Sequence, residues 1–146
     1  MDELILAMKK ALANEFAFYL KTHGFHWNVE GQDFPQLHEL FGKIYNDTYD
    51  SLDTFAEHIR VLDAYAPASF TRFIELSDLE DEIKILTAGM MLDKLLSDTA
   101  IVINSLETAY ELAEASHAHG LSNFLAERID SHAKWAWQLR ATLKDR

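Results

Sequence analysis

Chain-breakers are nearly missing from this sequence. Its 146 residues include two prolines, at positions 35 and 67, and five glycines. A β-sandwich needs a turn signal about every 8–12 residues, so this chain is pushed toward long uninterrupted helices. Apolar residues recur at three- and four-residue steps, as one buried helical face requires. Leu4/Ile5, Met8, Leu12, Phe16, Tyr19 and His23 mark a first helix, with Gly24 loosening its last turn and residues 28–32 as connector. Asp33 then reads as an N-cap, with Pro35 in the first turn, where its missing N–H costs nothing. The second helix carries Leu37, Phe41, Ile44, Thr48, Leu52, Phe55, Ile59 and Leu62 and is expected to end near residues 65–67. Residues 67–87 lack periodicity except for one short helix expected over 69–76. A third long helix buries Leu92, Leu95, Leu96, Val102, Ile103, Leu106, Tyr110 and Ala113. After a break over 117–120, a fourth carries Leu121, Phe124, Leu125, Ile129, Trp135, Ala136, Leu139 and Leu143.

The links between these helices run short, long, short. Short links make each hairpin antiparallel, while the roughly twenty-residue middle link, at about 3.3 Å per residue, spans a bundle. It therefore permits helices two and three to run parallel, as in ferritin-like four-helix bundles. The expected fold class is all-α, one ferritin-like domain over residues 1–146 with a short helix in the crossover.

The chain has no cysteine, which excludes disulfides, thiolate metal sites and cysteine nucleophiles. Its opening, MDELILAMKK, is acidic first and too briefly apolar for a signal peptide, and no stretch approaches a membrane span. The expectation is a soluble, cytoplasmic protein. Thirteen basic against 24 acidic residues give a formal charge of −11, which repels nucleic acid and suits a handler of cations. The first twenty residues offer only Lys9 and Lys10 against Asp2, Glu3 and Glu15, so no basic DNA-binding arm is visible there.

The chemistry-bearing residues gather around the second helix. Asp53 and Glu57 stand four apart, so their carboxylates share a helical face. His23 and His26 end helix one, and His38 opens helix two. Taken singly, an acidic i,i+4 pair is ordinarily a solvated face and a histidine near a helix end is ordinarily structural. Together, carboxylates and imidazoles suit Fe(II), Mn(II) or Zn(II), and the set alone does not choose among them. His38 and Asp53, fifteen residues apart on one helix, are separated by about 22 Å along its axis. One ion cannot bind both within a chain. Two copies of helix two packed antiparallel about a two-fold axis would join them, with His26 beside His38. Gly42, Tyr45 and Tyr49 lie between at helical steps, and this face is expected to be the two-fold interface, with Gly42 admitting the partner helix. A within-bundle di-iron centre needs two Glu-x-x-His motifs, whereas Glu114 and His117 form the only one. Zincin patterns, phosphate loops and a Gly-x-Ser-x-Gly elbow are absent.

The motif His26-Trp27-Asn28-Val29-Glu30-Gly31, followed by Phe34 and Leu37-His38-Glu39-Leu40-Phe41, resembles the Dps family, the mini-ferritins named as DNA-binding proteins from starved cells. The likeness continues through Asp53, Ala56, Glu57 and Arg60 and returns at Glu127-Arg128-Ile129-Asp130, His132, Lys134, Trp137 and Arg140. The resemblance implies that His26 and His38 of one subunit, with Asp53 and Glu57 of its two-fold mate, form both the metal site and the catalytic ferroxidase centre. It implies a hollow dodecamer that oxidises Fe(II), preferentially with hydrogen peroxide, and stores ferric mineral. Zinc or manganese would substitute at the same ligands. Trp27 matches the family's tryptophan beside the iron, which absorbs oxidising equivalents. The alternative implied function is DNA compaction with secondary iron binding, which would make the protein nucleoid-associated. The low basic charge speaks against it. Several positions depart from the family: His58 for a common arginine, Gly42 for an acidic residue in some relatives, and Ala133 for a frequent glutamate. His117, His119 and Asn123 replace the aspartates that line an iron-entry pore.

Overall fold

The scarcity of chain-breakers becomes five helices and no strand in the computed structural model, which describes residues 1–146. They are α1 (Asp2–Asn28), α2 (Phe34–Val61), α3 (Phe70–Leu76), α4 (Ala88–Ala115) and α5 (His119–Leu143). Packing partners fix their directions. On α1, Lys21 meets Asp98 of α4 in a buried ion pair at 2.7 Å, while Ala7 and Lys10 face Asn104 and Thr108, so α1 and α4 are antiparallel. On α2, Asp47 meets Arg128 and Phe55 meets Phe124, so α2 and α5 are antiparallel too. The tight α1–α2 link makes that pair antiparallel. Hence α2 runs parallel to α4, and the crossover spans the length of the bundle. This is the ferritin-like topology that the link lengths implied.

The core is one cluster of 23 buried residues drawn from the four long helices and Val29. On α2 it takes Leu37, Phe41, Ile44, Phe55 and Ile59, five of the anticipated face, while Leu52 and Leu62 are only partly buried. The α1 face differs from the expected stripe. After Leu12 the buried series runs through Glu15, Phe18, Thr22 and Phe25, leaving Phe16 and Tyr19 half-buried. The polar Glu15 and Thr22 break the apolar signal that a periodicity reading follows.

Element ends also shift. Gly24 does not interrupt α1, which continues through Asn28. α2 stops at Val61, several residues before Pro67, because Asp63 turns left-handed (φ 62°) and Arg60 bonds the Ala64 carbonyl at 2.8 Å. Asp33 sits at the N-cap of α2 without capping it; its carboxylate pairs with Arg146. The α4–α5 corner is made by left-handed His117 (φ 56°), and Gly120 already lies inside α5.

The long crossover is pinned rather than loose. Ser69 and Thr87 accept hydrogen bonds from the backbone N–H groups of Arg72 and Met90, capping α3 and α4. Buried Asn14 grips the middle of the segment. Its carbonyl oxygen accepts from the Asp78 N–H at 2.7 Å and the Ser77 hydroxyl at 3.0 Å, and its amide donates to the Asp78 carboxylate at 3.1 Å. No helix of the protein is long and apolar enough to cross a membrane.

Candidate metal centre

α1 ends and α2 begins on one end of the bundle, and the five-residue link folds His26 against His38. Their rings stack at 3.7 Å between centroids, 16° from parallel. Each Nδ1 lies against the other's backbone carbonyl, His26 to His38 at 2.6 Å and His38 to His26 at 2.7 Å. A carbonyl only accepts, so each Nδ1 carries the proton and donates it. Both imidazoles are therefore locked in the tautomer that leaves Nε2 with its lone pair. Neither Nε2 is hydrogen-bonded or sealed in the interior. A backbone carbonyl on the far nitrogen is the usual way a protein orients a ligating imidazole and raises its basicity.

Asp53 and Glu57 lie one turn apart and exposed on the other half of α2. Because α2 is a single unbroken helix, they stand about 22 Å from His38. Within one chain no three or more ligating side chains come together to hold an ion. The chain thus presents a histidine pair and a carboxylate pair, well separated on α2. Three further histidines lie elsewhere: His58 stacks on Phe124, its pKa lowered by burial against the pull of Glu57, and His117 faces His119 at the α4–α5 corner.

Exposed aromatic rings lie beside the histidine pair. Trp27 is 60% exposed and Phe34 40%, with Phe34 stacked on His38 at 5.0 Å, and farther along α2 Tyr49, 54% exposed, lies 5.0 Å from Tyr19. His23 stacks on Tyr45 at 3.7 Å and lies 4.1 Å from Trp27. Burial, with the neighbouring His26, holds the His23 pKa below its ordinary value, so the ring is neutral near pH 7.

Gly42 also serves its own chain. A Cβ there would sit 3.2 Å from Cε1 and Nδ1 of His26, so the glycine makes room for that ring. Gly42→Ala should therefore leave the helix intact, since alanine favours it by about 1 kcal/mol, while displacing His26 from the His38 carbonyl. Loss of such an orienting bond lowers metal affinity by about 10–100-fold. Metal titration of the assembled variant checks this, and wild-type affinity would contradict it.

A second polar cluster, inside the bundle, escaped the sequence reading. Glu15 is fully buried, and its pKa is pushed up by burial but drawn lower on balance by His132 and Arg128. Arg128 Nε donates to Glu15 at 3.2 Å and its Nη1 reaches both Asp47 oxygens at 3.1 and 3.2 Å. His132 Nε2 contacts the other Glu15 oxygen, Ser51 donates to Glu15 at 3.3 Å and the Trp135 indole donates to Asp47 at 2.8 Å. The i,i+4 spacing of Arg128 and His132 was its one visible signal. Here a guanidinium occupies the space between carboxylates, so the cluster ties α1, α2 and α5 together instead of offering open ligands.

With this geometry in view, the likeness to known proteins is specific. The family model described as ferritin-like domain matches residues 5–146. General stress protein 20U of Bacillus subtilis is 29% identical over 142 residues, 97% of this chain and 98% of that protein. DNA protection during starvation protein 2 of Bacillus anthracis is 28% identical, covering 97% of each chain. The crystal structure of a Dps protein from Vibrio cholerae O1, described as one of the ferritin-like diiron-carboxylate proteins, superposes with a TM-score of 0.93. It is 29% identical, over 98% of this chain and 90% of that one.

Proposed function

We propose that this chain, which belongs to the ferritin-like domain family, is an iron-storing ferroxidase of the Dps type. A single domain over residues 1–146 would assemble with copies of itself into a hollow dodecamer, in the cytoplasm. Fe(II) binds where His26 and His38 of one chain meet the partner subunit's Asp53 and Glu57, hydrogen peroxide oxidises it, and ferric oxyhydroxide collects in the cavity.

The reciprocal His26–His38 lock is the observation that carries this reading, because it presents two lone pairs outward with no third ligand in the chain to complete a site. The exposed aromatic rings beside them support a covered interface, as exposed apolar patches commonly do. Imidazole nitrogen holds Fe(II), and carboxylate oxygen stabilises the harder ferric product. Each peroxide takes one electron from each of two Fe(II) ions and is reduced to water. Hydrolysis of the ferric ions then releases protons. Zinc and manganese suit the same donors and would compete with iron.

Anaerobic Fe(II) mixed with hydrogen peroxide and protein should give rapid ferric absorbance, faster than with air. The double variant Asp53→Ala/Glu57→Ala should fall to the rate of iron in buffer. An unchanged rate in that variant ends the proposal.

Relatives named for DNA protection favour a second reading, a DNA-compacting role. The charge of −11 opposes it. A gel shift at low and physiological salt separates the two, since binding through lysine and arginine weakens steeply with salt. No shift is expected at physiological salt, and a salt-sensitive one would establish the DNA role.

A further inference from the structure

We propose that Tyr19, with His23 as its proton acceptor, is where a one-electron oxidising equivalent from the iron site comes to rest. This rests on the iron-oxidation reading above. A chain of rings leads inward from the ligands. Tyr45 lies 5.1 Å from His26 between centroids, stacks on His23 at 3.7 Å and 10°, and stands 6.2 Å from Tyr19. Tyr19 in turn is 5.0 Å from Tyr49.

What sets Tyr19 apart is its proton. A phenol that loses an electron becomes a strong acid, so its oxidation is easy only where the proton has somewhere to go. The Tyr19 hydroxyl lies 2.9 Å from His23 Nδ1, which accepts from it in the Nε2–H tautomer. The hydroxyls of Tyr45 and Tyr49 and the indole N–H of Trp27 have no side-chain base against them. Tyr19 is also half-buried by the packing of its own chain, which limits the access of solvent reductants to a radical there.

The electron count gives the pair a task. A site holding a single Fe(II) supplies one electron, and cleaving the O–O bond of peroxide to two waters needs two. Tyr19 supplies the second through Tyr45 and His26, and its proton passes to His23 Nδ1. Fe(II), the phenol, His23, one peroxide and two solvent protons then give Fe(III), a neutral phenoxyl radical, protonated His23 and two waters. No hydroxyl radical is released.

Packing alone would also explain four rings in contact, so the test reads the radical itself. The assembled protein is loaded anaerobically with one Fe(II) per chain, mixed with excess hydrogen peroxide and freeze-quenched for electron paramagnetic resonance. Ring-deuterated tyrosine identifies a phenoxyl by its narrowed lines, and ferric absorbance is recorded on the same samples. The expected result is a phenoxyl signal in the wild type that falls at least tenfold in Tyr19→Phe and in His23→Phe, which keeps a ring but no base. Tyr49→Phe keeps the signal, and His23→Gln, whose amide oxygen accepts, restores part of it. Ferric iron without a phenoxyl signal in the wild type would overturn the relay alone. So would a signal undiminished in either Tyr19→Phe or His23→Phe. If the wild type forms no ferric iron, the iron-oxidation reading falls and takes the relay with it.

Discussion

Arg128→Met should destabilise the protein by about 3–5 kcal/mol at pH 7, because it leaves Glu15 charged inside the bundle with only the His132 ring and the Ser51 hydroxyl against it. Glu15 and His132 are fully buried and Arg128 is 5% exposed, so water cannot replace the lost guanidinium. Asp47 and the Trp135 indole lose their anchor in the same change, loosening α5 from α2. The pH dependence separates this cause from simple loss of packing. In the wild type the Glu15 carboxyl is held below its ordinary value. Its contribution is therefore fully present above the unfolded-state pKa of about 4.3 and is lost as pH falls through the lower folded value. In the variant, burial acts with less opposition, and protonating Glu15 removes the unpaired charge. The stability gap between the two should thus be widest near neutral pH and narrow toward pH 4. Denaturant midpoints across that range measure it. A gap below about 1 kcal/mol, or one flat with pH, would show that the guanidinium is not what holds Glu15 in place. Glu15→Gln combined with Arg128→Met should recover part of the loss, since no charge is then left unpaired.

That cluster also marks where the sequence stopped being legible. The four long helices, their link lengths and the short crossover helix all follow from periodicity and the near absence of proline and glycine, and the structure has them. The α2 face reads well because its buried residues are apolar with one exception before Ser51, at Thr48. The α1 face does not, because Asn14 and Glu15 are buried through hydrogen bonds to partners on α2, α5 and the crossover that are distant in sequence, and Thr22 by bonding the Phe18 carbonyl of its own helix. The same limit applies at the candidate site. The residue types and the 22 Å problem were readable from numbering alone. The carbonyl lock of His26 and His38 and the room that Gly42 makes for the His26 ring were not, because each depends on how α1 settles against α2.

The proposed sharing of the site between subunits makes a prediction that no within-chain site can match. His26→Ala/His38→Ala and Asp53→Ala/Glu57→Ala chains should each be unable to oxidise iron when assembled alone, since every site then lacks half its ligands. A mixed dimer is different. One of its two sites joins the mutated histidines to the mutated carboxylates and is doubly dead. The other joins intact histidines from one chain to intact carboxylates from its partner and is complete. Random reassembly of equal amounts makes about half of all dimers mixed, each with one good site in two, so about a quarter of wild-type peroxide-driven oxidation should return. Unfolding and refolding the two chains together, followed by light scattering to verify assembly and ferric absorbance to count active sites, tests this. Mixing without unfolding is the control and should give no recovery while the dimers stay paired. If the co-refolded mixture forms full-size assemblies and still oxidises no iron, the ligands do not meet across a two-fold axis. Activity in the histidine variant alone would place the iron on the carboxylates without His26 and His38, and the carbonyl lock would then have no part in holding it.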